Sequence, residues 1–327
     1  MNHKVKKLLI ISGFISCQRP TGGVTMHVHR LLKRLIEPHI PYYELCDYKT
    51  EGFYVQLKKI KGADVMHMHA SNPYLKLFYV LAGKVFNTKS LMTIHGRYGV
   101  FSPWSNFIHK LALKWCDIPI LINYESFEDV VKFNKKAVFI PAFIPPIDEE
   151  EMLSPEFESE VRSIKDEGKP LFVTNASSMA FTDDGREIYG IHFLTDYFSH
   201  HQEYNLMVLD PNNEYGKLYD SSLSSNVKIF TGQHSFCGLV KLSDAVIRNT
   251  PIDGDSFSVK EALYFHKPVL ATDAVSRPNG TFLFKYNDEQ SLNNTIHQVL
   301  SHTGNITLKE KDVTELYYKL YKELGVC

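Results

Sequence analysis

The 327-residue sequence has no apolar run long enough to cross a bilayer. Its apolar runs, such as the strand-length Ile118-Pro-Ile-Leu-Ile122, fall far short of the roughly 20 residues a spanning helix needs. A secretory signal is also missing. Lys4, Lys6 and Lys7 precede Leu8-Leu-Ile-Ile-Ser12, but that run is too short and is followed at once by Gly13 and polar residues. Cysteine is scarce. Cys17, Cys46, Cys116, Cys237 and Cys327 are odd in number and scattered without metal spacing, which fits a reducing cytoplasm and no zinc site. No G-x-G-x-x-G follows the first apolar run, so a dinucleotide-dependent dehydrogenase is not indicated. Internal repeats and low-complexity tracts are absent too.

What is present is a soluble balance, 44% apolar and 22% charged, in a chain long enough for two domains with separate cores. Net charge is only −1, yet it is unevenly placed. Residues 1–147 carry 20 Lys+Arg against 9 Asp+Glu, and residues 148–327 carry 16 against 28. That asymmetry points to a basic domain facing an anionic partner, although a solvated basic face would read the same way.

Lys6–Gly13 reads as a buried strand running into the glycine loop Thr21-Gly22-Gly23, which opens a helix with Val24, Val28, Leu31, Leu32 and Leu35 at helical spacing. Its other face carries His29, Arg30, Lys33 and Arg34, read as an exposed basic stripe. Asp64-Val-Met-His-Met-His69 alternates as a strand with His67 and His69 on one face, and Ser90–Gly96 is a strand ending in His95-Gly96. Open α/β sheets place ligands at strand carboxyl ends, which makes His95 a candidate. Pro145-Pro146 and Asp148–Glu151 close the first domain, and the acidic 156–169 segment reads as a linker helix. A second strand–helix series follows. The last segment, 309–324, aligns Val313, Leu316, Tyr317, Leu320 and Tyr321 on one side of a helix.

Residues 248–280 carry most of the chemistry. Val246 and Ile247 close a strand, Arg248–Ser258 is polar and acidic, and Val259, Ala262 and Leu263 form one side of a short helix. Pro268-Val-Leu-Ala-Thr272 then opens another strand. Free N–H groups and the helix dipole make such a helix start an anion site, here bracketed by Asp253 and Glu261. An anion site beside carboxylates suits a ligand with phosphates and hydroxyls, such as a nucleotide sugar. The alternative is local: Ser258-x-x-Glu261 also matches a capping box, and Asp255 or Ser256 a simple cap.

This stretch resembles the signature of the retaining family-four glycosyltransferases (glycosyl transferases group 1), of the bacterial surface-polysaccharide type. Asp253 stands on the first Glu of that signature and Glu261 on the second, and Glu261-Ala-Leu runs on to Lys267-Pro-Val-Leu-Ala-Thr-Asp273. The resemblance extends over almost the whole chain, including Thr93-Ile-His95-Gly96 and the Gly22-Gly23 loop. It implies an α/β fold of two Rossmann-like domains facing a central cleft (GT-B). The expected divisions are 1–165 on the acceptor side, 166–306 for the nucleotide sugar, and a terminal helix at 307–327 returning to the first domain. Two departures stand out. Asp183 and Tyr189 occupy the places of the family's diphosphate-holding Arg and Lys, leaving Arg186, Arg248 and Arg277 as candidate cations, with Arg248 favoured. His266 takes the place of a helix-terminating glycine, as a residue type that tolerates left-handed backbone.

The resemblance implies a retaining hexosyltransferase moving sugar from a nucleoside-diphosphate sugar to a glycan or lipid-linked oligosaccharide acceptor, in polysaccharide or glycoconjugate synthesis. His95 and Asp253 would hold the donor sugar at the catalytic centre. Gly22, Gly23, Arg248, Thr250, Asp255, Ser256, Phe257, Ser258 and Glu261 would bind the donor, Glu261 through its ribose. No cofactor or metal is called for; His67 and His69 at i, i+2 have no apparent carboxylate partner. Expected partners are the nucleotide sugar, the glycan acceptor and an anionic membrane surface, with no nucleic acid, in a cytoplasmic enzyme peripheral to the inner face of the plasma membrane. Alternatives are a sugar-nucleotide epimerase or phosphorylase on the same fold, or a two-domain sugar-binding protein without turnover.

Overall fold

The computed structural model describes residues 5–13, 15, 23–219, 223–253, 256–308 and 312–327. The chain divides into two compact units, Met1–Ile144 with Lys311–Cys327, and Pro145–Glu310.

The first unit is built on β1 (Leu8–Ser12), β2 (Tyr43–Asp47), β3 (Val65–His69), β4 (Lys89–Ile94), β5 (Ile118–Leu121) and β6 (Val138–Phe139). They form one sheet in the order β2-β1-β3-β4-β5-β6, every neighbouring pair parallel. Parallel strands need crossover helices, which cover both faces, so the central strands are buried throughout. Alternation sorts their side chains. Leu8 and Ile10 join one core with Val65, Leu91 and the Gly23–Leu31 helix, while Leu9 and Ile11 join the other with Met66, Met68 and Met92. His67 and His69 share the first face with Val65. The terminal helix Thr314–Leu324 packs on that face, burying Tyr317, Tyr321 and Leu324.

The second unit repeats the scheme with β7 (Leu171–Asn175), β8 (Asn205–Asp210), β9 (Val227–Thr231), β10 (Ala245–Arg248), β11 (Val269–Thr272) and β12 (Thr281–Phe284). Its order is β12-β11-β10-β7-β8-β9, again parallel. The chain leaves β7 toward β8 and returns on the opposite side at β10. Neighbouring strands whose connections diverge open a crevice at their carboxyl ends, here at Asn175 and Arg248. The structure therefore has the expected two Rossmann-like α/β units.

Two local readings change. The acidic 156–169 segment, placed with the first domain as a linker, contains the helix Pro155–Lys165, which packs in the second unit. Phe157, Val161 and Ile164 recur on one side and enter the core with Leu171, Met207 and Leu239. The stripe after the glycine loop is not uniformly exposed. Arg30 is fully buried and donates from Nη1 to the Ile144 carbonyl at 3.1 Å. Lys33 pairs with Glu37 at 3.0 Å and Arg34 with Asp312 at 3.5 Å, so the charge of this face is largely met within the unit.

Gly190 shows how tightly the loops over β7 and β10 are joined. It precedes the Ile191–His200 helix at φ +57°, and a Cβ there would lie 2.7 Å from the Asn249 carbonyl oxygen. Left-handed backbone alone costs a non-glycine residue about 1–3 kcal/mol, and the clash adds to it. Gly190→Ala is expected to lower stability by about 3 kcal/mol or more in urea titration; a loss under about 1 kcal/mol would show that the two loops separate easily.

Candidate functional site

At the end of β10 the chain gathers charge. Arg248 donates to Asp253 from Nε at 3.1 Å and from Nη2 at 3.3 Å. Arg277 reaches the same carboxylate from Nη1 at 2.8 Å and is anchored by Nε to the Thr272 carbonyl at 3.1 Å. The side chains of Arg248, Asp253 and Arg277 are only 13%, 8% and 3% exposed. Burial by itself would raise the Asp253 pKa, but Arg248 and then Arg277 overcome it and hold the carboxyl below its usual range. The Arg248 guanidinium also lies 5.0 Å from the centre of the Tyr189 ring, whose hydroxyl meets Ser177 Oγ at 2.5 Å. Among the described residues, two arginines thus converge on one carboxylate at the crevice. Thr250, buried beneath them, accepts at its carbonyl from Thr272 Oγ1 at 2.6 Å.

The helix that follows is Phe257–Tyr264, with Ser256 as N-cap and no side-chain capping bond. Ser256 Oγ and Ser258 Oγ meet each other at 3.1 Å. Ser258 and Glu261 therefore both lie inside the helix, and the reciprocal capping box does not form. Phe257 is half-buried. Glu261 is buried, with a carboxylate oxygen within 4.8 Å of donor atoms of Glu150 and Cys237. Asp255 and Gly22 lie outside the described residues, and Gly23 is the exposed first residue of its helix in the first unit. The helix ends as its sequence suggests. His266 adopts φ +58°, Lys267 N–H bonds the Ala262 carbonyl at 2.8 Å, and His266 Nδ1 donates to the Ile306 carbonyl at 2.8 Å.

The helix Ile191–His200 offers a second N-terminus, and the chain fills it itself. Glu187, buried, accepts from the backbone N–H groups of Ile191 at 3.0 Å and His192 at 3.2 Å. Arg186 is turned to solvent and paired with Asp184 at 2.8 Å, while Asp183 is exposed. Glu187 went unnoticed in the sequence, although a Glu four residues before a helix start is a recognisable partner for its free N–H groups.

In the first unit His95 belongs to a cluster of imidazoles. Its Nε2 meets His69 Nδ1 at 2.9 Å, and its ring centre lies 4.9 Å from that of His27. His27 Nδ1 donates to the Ala142 carbonyl at 2.9 Å, leaving Nε2 to accept from the Tyr317 hydroxyl at 3.3 Å. His67 is held by Tyr321 at 2.6 Å and Thr93 at 2.8 Å. Burial is the main cause that lowers all four pKa values, to about 4 for His27, about 3 for His67 and well below the usual range for His69 and His95. All four rings are neutral at pH 7. Lys76 sits nearby, fully enclosed, with its Nζ 3.1 Å from His109 Nε2 and no carboxylate partner among the described residues. Burial pushes its pKa down to about 7, and its charge disfavours protonation of His95.

His27, His69 and His95 each offer a nitrogen within 4.8 Å of the others, a donor set of the type that takes a transition metal. Tetrahedral ligands about 2.0–2.1 Å from an ion stand about 3.3 Å apart. The 2.9 Å between His69 and His95 is instead the length of a hydrogen bond. Lys76 beside His95 adds a further opposing charge.

The ion-pair cluster generates a stability prediction with a defined pH dependence. The folded pKa of Asp253 lies below its unfolded value, so its contribution is complete above about pH 4 and fades as pH falls through the folded value. Asp253→Asn leaves two nearly buried guanidinium groups without their carboxylate and should cost about 3 kcal/mol at pH 7. Melting of both proteins from pH 7 to 3 should show curves that converge only at the acid end; a difference that is already small at pH 7 would refute the assignment.

No protein-family model matches the chain, and no curated protein matches it in sequence. Solved structures do match along nearly its full length. Anabaena HepE in complex with UDP is 14% identical, with a TM-score of 0.67 over 98% of this chain and 95% of that one. A glycosyltransferase from Rickettsia africae is 17% identical, with a TM-score of 0.66 over 98% and 99%. The UDP-GlcNAc 2-epimerase from Methanocaldococcus jannaschii is 10% identical, with a TM-score of 0.63 over 97% and 99%. The chain thus shares the GT-B-like fold of several nucleotide-sugar enzymes.

Proposed function

We propose that the protein is a retaining glycosyltransferase that takes a sugar from a nucleoside-diphosphate donor and passes it to a lipid-linked glycan. The observation that carries this reading is the Asp253–Arg248–Arg277 cluster at the carboxyl end of β10, set before a helix whose N-cap side chain makes no capping bond. A leaving diphosphate needs cations and N–H donors held in place before reaction. Arg248 is the more accessible of the two arginines and is assigned to the diphosphate, with Arg277 keeping Asp253 in position. Glu261 is assigned to the ribose, and Asp253 and His95 to hydroxyls of the donor sugar. The scheme calls on no metal ion. Because Glu187 fills the start of the Ile191–His200 helix, the diphosphate is assigned to the Phe257–Tyr264 helix and the arginines.

Thermal shift with UDP, and with UDP-, GDP-, ADP- and dTDP-sugars, tests the donor assignment. A true donor at 100 times its Kd should add about 2.7 kcal/mol to stability, and Arg248→Ala should remove most of that gain. Stabilisation by none of these compounds would overturn the proposal. The binding donor incubated without acceptor distinguishes an epimerase, which would return an altered nucleotide sugar, from a transferase, which would not.

A membrane-facing acceptor is supported by the helix Pro103–Trp115. Trp104 and Phe107 are 63% and 50% exposed with ring centres 5.5 Å apart, and Lys110 and Lys114 are exposed further along the same helix. Aromatic rings with nearby lysines suit the headgroup region, where each basic residue contributes about 1 kcal/mol. Wild type should sediment with vesicles containing anionic phosphatidylserine at low salt. Trp104→Ala/Phe107→Ala and Lys110→Glu/Lys114→Glu should each weaken this several-fold, and only the aromatic pair's contribution should survive high salt. Equal binding by all three proteins would remove this helix from the membrane contact.

A further inference from the structure

The contact between His69 and His95 has a direction that the surrounding groups fix. Both rings are neutral, so a single proton lies between His69 Nδ1 and His95 Nε2, 2.9 Å apart. Two arrangements satisfy that bond. If His95 donated, the proton of His69 would sit on Nε2. That atom is buried and has no hydrogen-bond partner among the described residues. Buried N–H groups without an acceptor are rarer and costlier in proteins than acceptors left short of a donor. If His69 donates from Nδ1, its Nε2 is a bare lone pair and no donor is stranded. His95 then accepts at Nε2 and must carry its own proton on Nδ1.

The neighbours hold this arrangement. Ring centres of His67 and His27 lie 4.2 Å and 5.7 Å from that of His69, and both rings are fixed by their own bonds to Tyr321, Thr93 and Ala142. His69 itself is fully buried at the end of β3, where it cannot turn to water. His95 is half-buried, and its Nδ1 has no partner among the described residues. The enclosed Lys76 opposes any added proton on His95.

We propose that His69 is a positioning residue that locks His95 as the Nδ1–H tautomer, so that His95 presents a hydrogen-bond donor to its ligand. The group it meets is then an acceptor oxygen, and His95 does not serve as a general base through Nδ1. That this oxygen is a hydroxyl or ring oxygen of the donor sugar rests on the function proposed above; the tautomer does not.

The test is a long-range proton–nitrogen correlation spectrum of the full chain with 15N-labelled histidine, recorded without ligand at pH 7. His95 is assigned by the signals lost in His95→Asn. The expected result is a bare Nε2 and a protonated Nδ1 on His95, favoured about tenfold or more, as the cost of an unpaired buried donor implies. His69→Phe should return His95 to the Nε2–H form that free imidazole prefers. His69→Gln, whose amide can donate to Nε2, should restore Nδ1–H. A wild-type His95 protonated on Nε2 or evenly mixed would overturn the proposal, as would Nδ1–H persisting in His69→Phe. Should His69→Phe not fold, the wild-type and His69→Gln spectra still decide it. Because no ligand is present, a protein that binds no nucleotide sugar could still show the tautomer, so the two failures remain distinguishable.

Discussion

A parallel sheet can only be closed by crossovers, and each crossover brings the chain out at the same edge before it turns into a helix. Both units obey that constraint, and the placement of polar chemistry follows from it. Strand interiors face helices on both sides and are filled mainly by apolar residues, with His67 of β3 and Thr93 of β4 as buried polar exceptions. Polar residues can then concentrate at the carboxyl edge, where backbone N–H groups of the next helix are also unpaired. Ser12, His69, Arg248 and Thr272 each end a strand. His95 directly follows one.

The two edges solve the cost of burying polar groups differently. In the second unit, opposite charges are packed together, and Asp253 remains ionised because two guanidinium groups outweigh its desolvation. In the first unit no carboxylate joins the imidazole cluster among the described residues. Burial is met by surrendering charge, and neutral rings are held by hydroxyls, one carbonyl and one another. The first solution keeps two cations around one carboxylate among the described residues. The second keeps its rings uncharged.

Much of the fold was legible because parallel strands give apolar runs of strand length. The terminal helix was readable from Tyr317 and Tyr321 one turn apart, and His266 from its place after a helix. Arg30 was misread for a reason inherent in the pattern: a guanidinium on the polar side of a stripe looks solvated, and its acceptor, the Ile144 carbonyl, is 114 residues away. The helix Pro155–Lys165 carried an acidic surface that masked three core residues. The importance of residues 248–280 was visible, but not that Asp253 would bind Arg248 and Arg277 together, since one partner lies 24 residues on. Nor could any pattern show that His69 and His95 share a proton, because that depends on the pairing of β3 with β4.

Glu187 has a consequence for ligand selection. A carboxylate tethered four residues from the N–H groups it covers acts as a resident anion at high effective concentration. Any free phosphate, sulfate or diphosphate seeking that helix end must first displace a competitor that never diffuses away. The helix start is thereby insulated from free anions. The arginine-lined edge beside it differs in kind: its resident carboxylate, Asp253, is shared between Arg248 and Arg277, so an anion arriving there would divide those cations with Asp253 instead of evicting it from backbone N–H groups.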